Sequence, residues 1–277
     1  MQSWSTHAMT SSVSNDTKTE SYSYPFADLA DERTQNWPLV KSPWNIIALL
    51  AIYLLMVRYA PKWTVRYKPL QLRVPLFCHS LAMIFLNGYI CLEFLTASLS
   101  LGYNFACQQC RMSHDPHEIR IAAALWWFYI SKILEFADTA FFILRHKWNQ
   151  LSFLHVYHHS TMFLFCWIYV KWLPTGSIFF PSMINSFVHV IMYSYYALSV
   201  LGPRVQKFLW WKRYLTGLQL VQFTIILFWA SQLVFRGCEY GKWLTPIGAA
   251  YMVPFLFMFG RFYAQKYNVS AVIKKAK

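Results

Sequence analysis

Seven times along this chain an apolar stretch approaches or exceeds the length needed to cross a lipid bilayer. A crossing helix needs roughly 20 mostly apolar residues, because the hydrocarbon layer is about 30 Å thick and a helix rises about 1.5 Å per residue. The stretches lie near residues 44–57 (extending to about 60), 74–99, 119–144, 151–170, 180–201, 214–235 and 243–262. Composition agrees. Hydrophobic residues make up 57% of the chain and charged residues 13%, about half the charged share of an ordinary soluble domain. The sequence therefore predicts an all-α polytopic membrane protein with seven transmembrane helices as one domain over 44–262. Residues 1–43 are expected to be a flexible tail and 263–277 a basic one. The tail has no short apolar core of a cleavable signal, so the first span is expected to act as an uncleaved one.

Basic residues set the orientation. Cytoplasmic loops accumulate Lys and Arg. With seven spans, one face receives Arg58, Lys62, Arg66, Lys68 and Arg73, then Arg145 and Lys147, then Arg204, Lys207, Lys212 and Arg213, and finally the C-terminal bases from Arg261 on. No acid falls on that face, whereas eight acids fall on the other. The formal charge of +14 is thus almost wholly one-sided, placing the C-terminus in the cytosol and the N-terminus in the lumen. Such a face meets anionic lipid and suits phosphates of an anionic ligand. Bases that lie at loop ends around a membrane bundle exclude nucleic acid as the partner.

Smaller signals fit this orientation. Asn15-Asp16-Thr17 is a glycosylation sequon that only a lumenal tail could use. The ending Lys274-Lys275-Ala276-Lys277 resembles the dilysine signal for retrieval to the endoplasmic reticulum. Cys107, Cys110 and Cys238 fall in lumenal loops, where disulfides persist. Three cysteines allow one bridge, and Cys107–Cys238 is the preferred pair, joining two loops. Cys107-x-x-Cys110 could alternatively be a redox or zinc pair, but no second pair accompanies it.

Ionisable groups in a bilayer are costly and usually functional. The third segment carries Lys132, Glu135, Asp138 and Thr139, whose spacing places them on one helical face. They either neutralise one another as a structural ladder or line a polar cavity. His155, His158 and His159 open the fourth segment at i, i+3 and i+4; Asn185, His189, Met192, Tyr193 and Tyr196 mark the fifth; Thr216, Gln219 and Gln222 mark the sixth. His79 stands alone in the second. Four histidines on adjacent helices suggest two chemistries. A metal-dependent lipid desaturase or hydroxylase would need about twice as many ligands as this box supplies, so no metal is assigned. Imidazole can instead move a proton near neutral pH or attack a thioester to form an acyl-imidazole. A receptor or transporter is a further alternative, poorly suited by buried histidines.

The four blocks Lys132-x-x-Glu135-x-x-Asp138-Thr139, Gln150-x-x-Phe153-Leu154-His155-x-Tyr157-His158-His159, Asn185-x-x-x-His189-x-x-Met192-Tyr193-x-Tyr195-Tyr196 and Thr216-x-x-Gln219-x-x-Gln222 occur in order. Together they closely resemble the signature of the ELO family, the very-long-chain fatty acid elongases or 3-oxoacyl-CoA synthases, across residues 37–267. The runs at 121–127 and 209–216 look most like the animal branch acting on very long and polyunsaturated chains. The resemblance implies a helical bundle around a narrow acyl-chain tunnel closed at the lumenal end, in the endoplasmic reticulum membrane. It implies decarboxylative Claisen condensation of long-chain acyl-CoA with malonyl-CoA, no cofactor, a homodimer, and other elongation-cycle enzymes as partners. On this footing His158, facing His189, is the expected nucleophile. His155 and His159 orient or shuttle protons, and Lys132, Glu135, Asp138, Asn185, Tyr193 and Gln219 give polar support.

Overall fold

The computed structural model describes residues 29–267; Asn15, Lys274 and Lys275 lie outside the described residues. All regular structure within them is helical: α1 (Pro43–Thr64), α2 (Arg73–Ser100), α3 (Pro116–Leu134), α4 (Phe136–Leu144), α5 (Phe153–Trp172), α6 (Phe179–Ser199), the short α7 (Pro203–Gln206), α8 (Lys212–Phe235) and α9 (Leu244–Tyr267).

Local chemistry sets several of the helix starts. Ser42 caps α1 by accepting from the Trp44 N–H, with Pro43 in the first turn. Asp115 caps α3 by accepting from the His117 N–H at 2.7 Å, again with a proline following. A short polar side chain satisfies an orphan N–H there, and proline has none to satisfy. Ser152 caps α5 by accepting from the His155 N–H. This cap starts the helix two residues later than the apolar run suggests and puts the histidine box in its first two turns.

The distribution of polarity is inverted relative to a water-soluble bundle. Phe85, Phe228 and Phe257 lie largely exposed on the outside, whereas Lys132, Glu135, Asn185 and His189 are buried. Such an exterior suits hydrocarbon, where each backbone polar group must be satisfied within its own helix. Five helical stretches are long and apolar enough to cross a membrane: Pro43–Thr64, Arg73–Ser100, Gly176–Ser199, Lys212–Phe235 and Leu244–Tyr267. The chain is a helical membrane protein. The other two expected spans, α3–α4 and α5, fall outside this group; they carry most of the buried charges and histidines.

Inside, α2 packs along α6 and α3, α8 pairs with α9, and α1 lies against α4 and α5. Ile90, Phe94, Leu125, Phe128, Phe163 and Phe179 form the apolar core between α2, α3, α5 and α6. Where α5 and α8 end and α9 begins, the α2–α3 connection is fastened to its neighbours. The Trp229 Nε1–H donates to the Phe105 carbonyl at 2.7 Å, the Ser177 N–H donates to the Gln108 carbonyl at 2.9 Å, and a disulfide joins Cys107 to Cys238.

The structure departs from the sequence reading in three places. The third segment is not one helix: the chain tightens at Glu135, where the Asp138 N–H bonds the Glu135 carbonyl, and α3 gives way to α4. The stretch 29–42, expected in a flexible tail, is docked. The Thr34 hydroxyl donates to the Val170 carbonyl at 2.6 Å, the Asp31 N–H donates to the Lys171 carbonyl, and Val40 is fully buried. Arg33 holds Asp31 at 2.6 Å there; burial alone would lower the Arg33 pKa, but the Asp31 carboxylate outweighs it and raises it. Finally, α9 continues to Tyr267, so the expected tail boundary at 262 falls inside a helix.

Candidate functional site

Glu135 organises the centre of the bundle. Its carboxylate is buried at the α3–α4 junction, and the Lys132 ammonium donates to it at 2.8 Å. Lys132 also donates to the Asn185 side-chain oxygen at 3.2 Å. The Nδ1 atom of His189, on α6, stands 3.1 Å from Glu135 Oε1, and that of His159, on α5, stands 3.7 Å from Oε2. One carboxylate thus faces an ammonium and two imidazoles from three helices. A buried carboxylate needs such company, since an isolated charge taken from water costs several kcal/mol.

The four polar residues expected on one face of the third segment are all buried but face different neighbours. Lys132 and Glu135 form an internal pair. The kink turns Asp138 toward α2 and α6, where it accepts from the Tyr193 hydroxyl at 2.6 Å and approaches His79 Nε2 at 3.3 Å. Thr139 turns toward α1 and α5, lying 2.7 Å from His155 Nε2 and 3.2 Å from the Tyr53 hydroxyl. His79, read from the sequence as solitary, is therefore a member of the cluster, and Tyr53 was not singled out at all. Neither carries a local signal: each is one polar residue on an apolar helix, and only packing reveals its partner.

The histidine box divides its work. His155 is engaged by Thr139, and its ring lies tilted against that of His159, with centroids 4.2 Å apart. His159 approaches Glu135. His158 sits edge-on to the Phe255 ring at 5.5 Å, and among the described residues no side chain hydrogen-bonds its imidazole.

Two cavities meet at this residue. One, of about 250 Å³, is the more polar of the two and is lined by Glu135, Asp138, the three box histidines, His189, Tyr196, Gln219, Lys212 and Lys266, among others. The other, of about 120 Å³, is almost wholly apolar, with Met162, Phe165, Ile226, Trp229, Tyr251 and Met252 in its wall. His158, Asn185, Gln222 and Phe223 line both. On α5 the apolar cavity extends from His158 to Tyr169, about 16 Å along the helix axis. Gln219 borders the polar cavity and directs its amide to the Met192 sulfur at 3.7 Å. Lys212 and Lys266, counted from the sequence among the one-sided bases that set topology and suit an anionic ligand, border the polar cavity at the start of α8 and the end of α9.

A helical membrane protein with a histidine-lined chamber, an apolar cavity and one imidazole lining both can accommodate an amphiphile. The family model described as "ELO: GNS1/SUR4 family" matches residues 38–275, and the chain belongs to that family. It is 46% identical over 258 residues to a Homo sapiens protein named very long chain fatty acid elongase 4, covering 93% of this chain and 82% of the relative. The Mus musculus protein of the same name is 47% identical over 249 residues, covering 90% and 80%. Mus musculus very long chain fatty acid elongase 2 is 39% identical over 245 residues, covering 88% and 83%.

Proposed function

We propose that this chain is the condensing enzyme of fatty acid elongation, joining a long-chain acyl-CoA to malonyl-CoA to give a 3-oxoacyl-CoA two carbons longer, with release of CO2 and CoA. The elongase relatives support the reaction class. The observation that carries the chemistry is the position of His158 at the junction of the polar and apolar cavities.

On this reading the acyl tail lies in the apolar cavity, its thioester carbonyl beside His158 and its CoA in the polar chamber. The His158 imidazole attacks the carbonyl. The carbon–sulfur bond breaks, the CoA thiolate takes a proton, and the acyl group remains on the ring nitrogen. CoA leaves and malonyl-CoA enters. Loss of CO2 from the malonyl group leaves an enolate that attacks the acyl-imidazole carbonyl, forming the new carbon–carbon bond and returning the imidazole. Glu135 holds His189 and His159 in orientation for proton handling beside the reacting carbonyl. A dry apolar wall protects the acyl-imidazole from hydrolysis. His158 is assigned as the nucleophile because, of the four histidines, it lines both cavities, whereas His155, His159 and His189 line only the histidine-bearing one. Acyl-CoA and malonyl-CoA are substrates, and this chemistry needs no metal or organic cofactor.

The same reading treats α3–α4 and α5 as spans alongside the five apolar ones, giving seven around an acyl tunnel. At 20 residues α5 is about 30 Å long, enough to cross. The Cys107–Cys238 bridge supports a lumenal assignment for the loops that carry it, since disulfides persist in oxidising compartments. Lys212 and Lys266 then face the cytosol, where CoA is bound. The endoplasmic reticulum is the proposed membrane, with a homodimer and the other elongation enzymes as partners. The test replaces His158 by Ala in full-length protein in microsomes. Incorporation of labelled malonyl units should vanish, and the acyl adduct seen by mass spectrometry on the wild-type histidine should vanish with it. Retained turnover removes His158 from the mechanism.

A further inference from the structure

The apolar cavity has a floor as well as a mouth. At the end remote from His158 its wall includes Tyr169, Leu233, Thr245 and Tyr240. Three of these come from helices that run alongside the cavity. Tyr240 comes from the α8–α9 connection and lies across the cavity's end. It is buried, and its hydroxyl reaches the Leu173 carbonyl, just past the end of α5, at 3.4 Å. The ring thus bridges the gap between α5 and the α8–α9 pair.

Tyr240 is also unusually well anchored for a loop residue. Two positions before it, Cys238 is bonded to Cys107. Its own carbonyl accepts from the Thr245 hydroxyl at 2.8 Å, and the next residue's carbonyl accepts from the Thr245 N–H at 2.8 Å. That next residue is Gly241, with φ of +49°, where a Cβ would stand 2.7 Å from the Leu173 side chain. The backbone can make this turn close against α5 only because it is glycine. The loop carrying Cys107 is fixed in turn to α8 through Trp229 and Gln232. An aromatic ring held this way is a wall, because displacing it would break several bonds together.

We propose that Tyr240, braced by the Cys107–Cys238 bridge, is the end-stop of the acyl cavity and sets the longest product this enzyme makes. The inference rests on the acyl-chain reading of that cavity. A growing chain whose terminal methyl meets the ring cannot advance by two more carbons with its carbonyl still beside His158. Trimming the ring lets those methylenes be buried instead of excluded.

The test feeds membranes containing the full chain a panel of acyl-CoAs with labelled malonyl-CoA and reads product length by mass. Replacing Tyr240 by Ala should extend the longest product by at least two carbons. The ratio of that product to the wild-type limit product should rise roughly tenfold, the factor expected from burying two more methylenes. Tyr240→Leu should give a smaller shift in the same direction, and decides the matter if the Ala protein does not accumulate. Tyr240→Phe should keep the wild-type profile, because the ring remains. Cys107→Ser with Cys238→Ser should broaden the profile toward longer products. An active Ala or Leu variant with the wild-type limit overturns the proposal, as does a Phe variant that shifts as far as Ala. Wild-type chain that elongates nothing sinks the reaction itself, and the role of Tyr240 with it.

Discussion

The Lys132–Glu135 pair allows stability and catalysis to be separated. Replacing Glu135 by Gln leaves the shape nearly unchanged but removes the charge facing Lys132, whose ammonium is buried and is left with neutral neighbours, among them the Asn185 oxygen at 3.2 Å and the Phe128 ring at 4.3 Å. Breaking a buried ion pair from one side costs about 3–5 kcal/mol, because the remaining charge stays desolvated. At about 2–4 °C per kcal/mol for a chain of this size, the melting temperature should fall by roughly 10 °C. Removing both charges, Lys132→Met with Glu135→Gln, should recover most of that loss, since an apolar replacement of a buried pair is often neutral or better. Activity should not recover with it. His189 and His159 still lose the carboxylate that faces them at 3.1 and 3.7 Å. A buried charge this close to both imidazoles acts on them far more strongly than it would in water, so turnover should stay at least about tenfold down. The assay pairs thermal unfolding in detergent with labelled malonyl incorporation in membranes. A single variant as stable as wild type, or a double variant with full turnover, refutes the assignment of Glu135 as the organiser of the site.

Two further outcomes follow from the periphery. Lys212 and Lys266 border the polar cavity and have no carboxylate partner among the described residues. Replacing both by Ala should raise the KM for acyl-CoA several-fold at low salt, with a smaller effect at high salt where screening already weakens them, and should leave the melting temperature in place. An unchanged KM would remove them from CoA binding. Cys110, outside the membrane, has its thiol pushed above the ordinary value of 9.0 by burial, while the Thr175 hydrogen bond pulls the other way. A raised pKa means less thiolate at a given pH, so alkylation at Cys110, isolated by comparison with Cys110→Ser, should still be accelerating above pH 9. A plateau by pH 8 would contradict that environment.

How far the sequence could be read depended on whether a signal was local. The spans α1, α2, α6, α8 and α9 were legible because continuous hydropathy is a property of neighbours in the chain. The third span was legible in extent but not in shape. The tightening at Glu135 arises where a buried charge meets three helices, and no periodicity within 119–144 encodes that meeting. The segment 29–42 was misread for a related reason: its composition is that of a tail, but its Asp31 N–H and Thr34 hydroxyl find carbonyls at the end of α5.

The sequence by itself determined that the chain is a helical membrane protein with histidines gathered at the start of one helix and the middle of another. Length, polarity and i, i+3, i+4 spacing are enough for that. Only the tertiary structure decided which histidine lines both cavities, that Asp138 answers to His79, and that Tyr240 lines the apolar cavity. Those pairings depend on how each helix is rotated and where it crosses its neighbours, and many side chains on different helices settle those angles together.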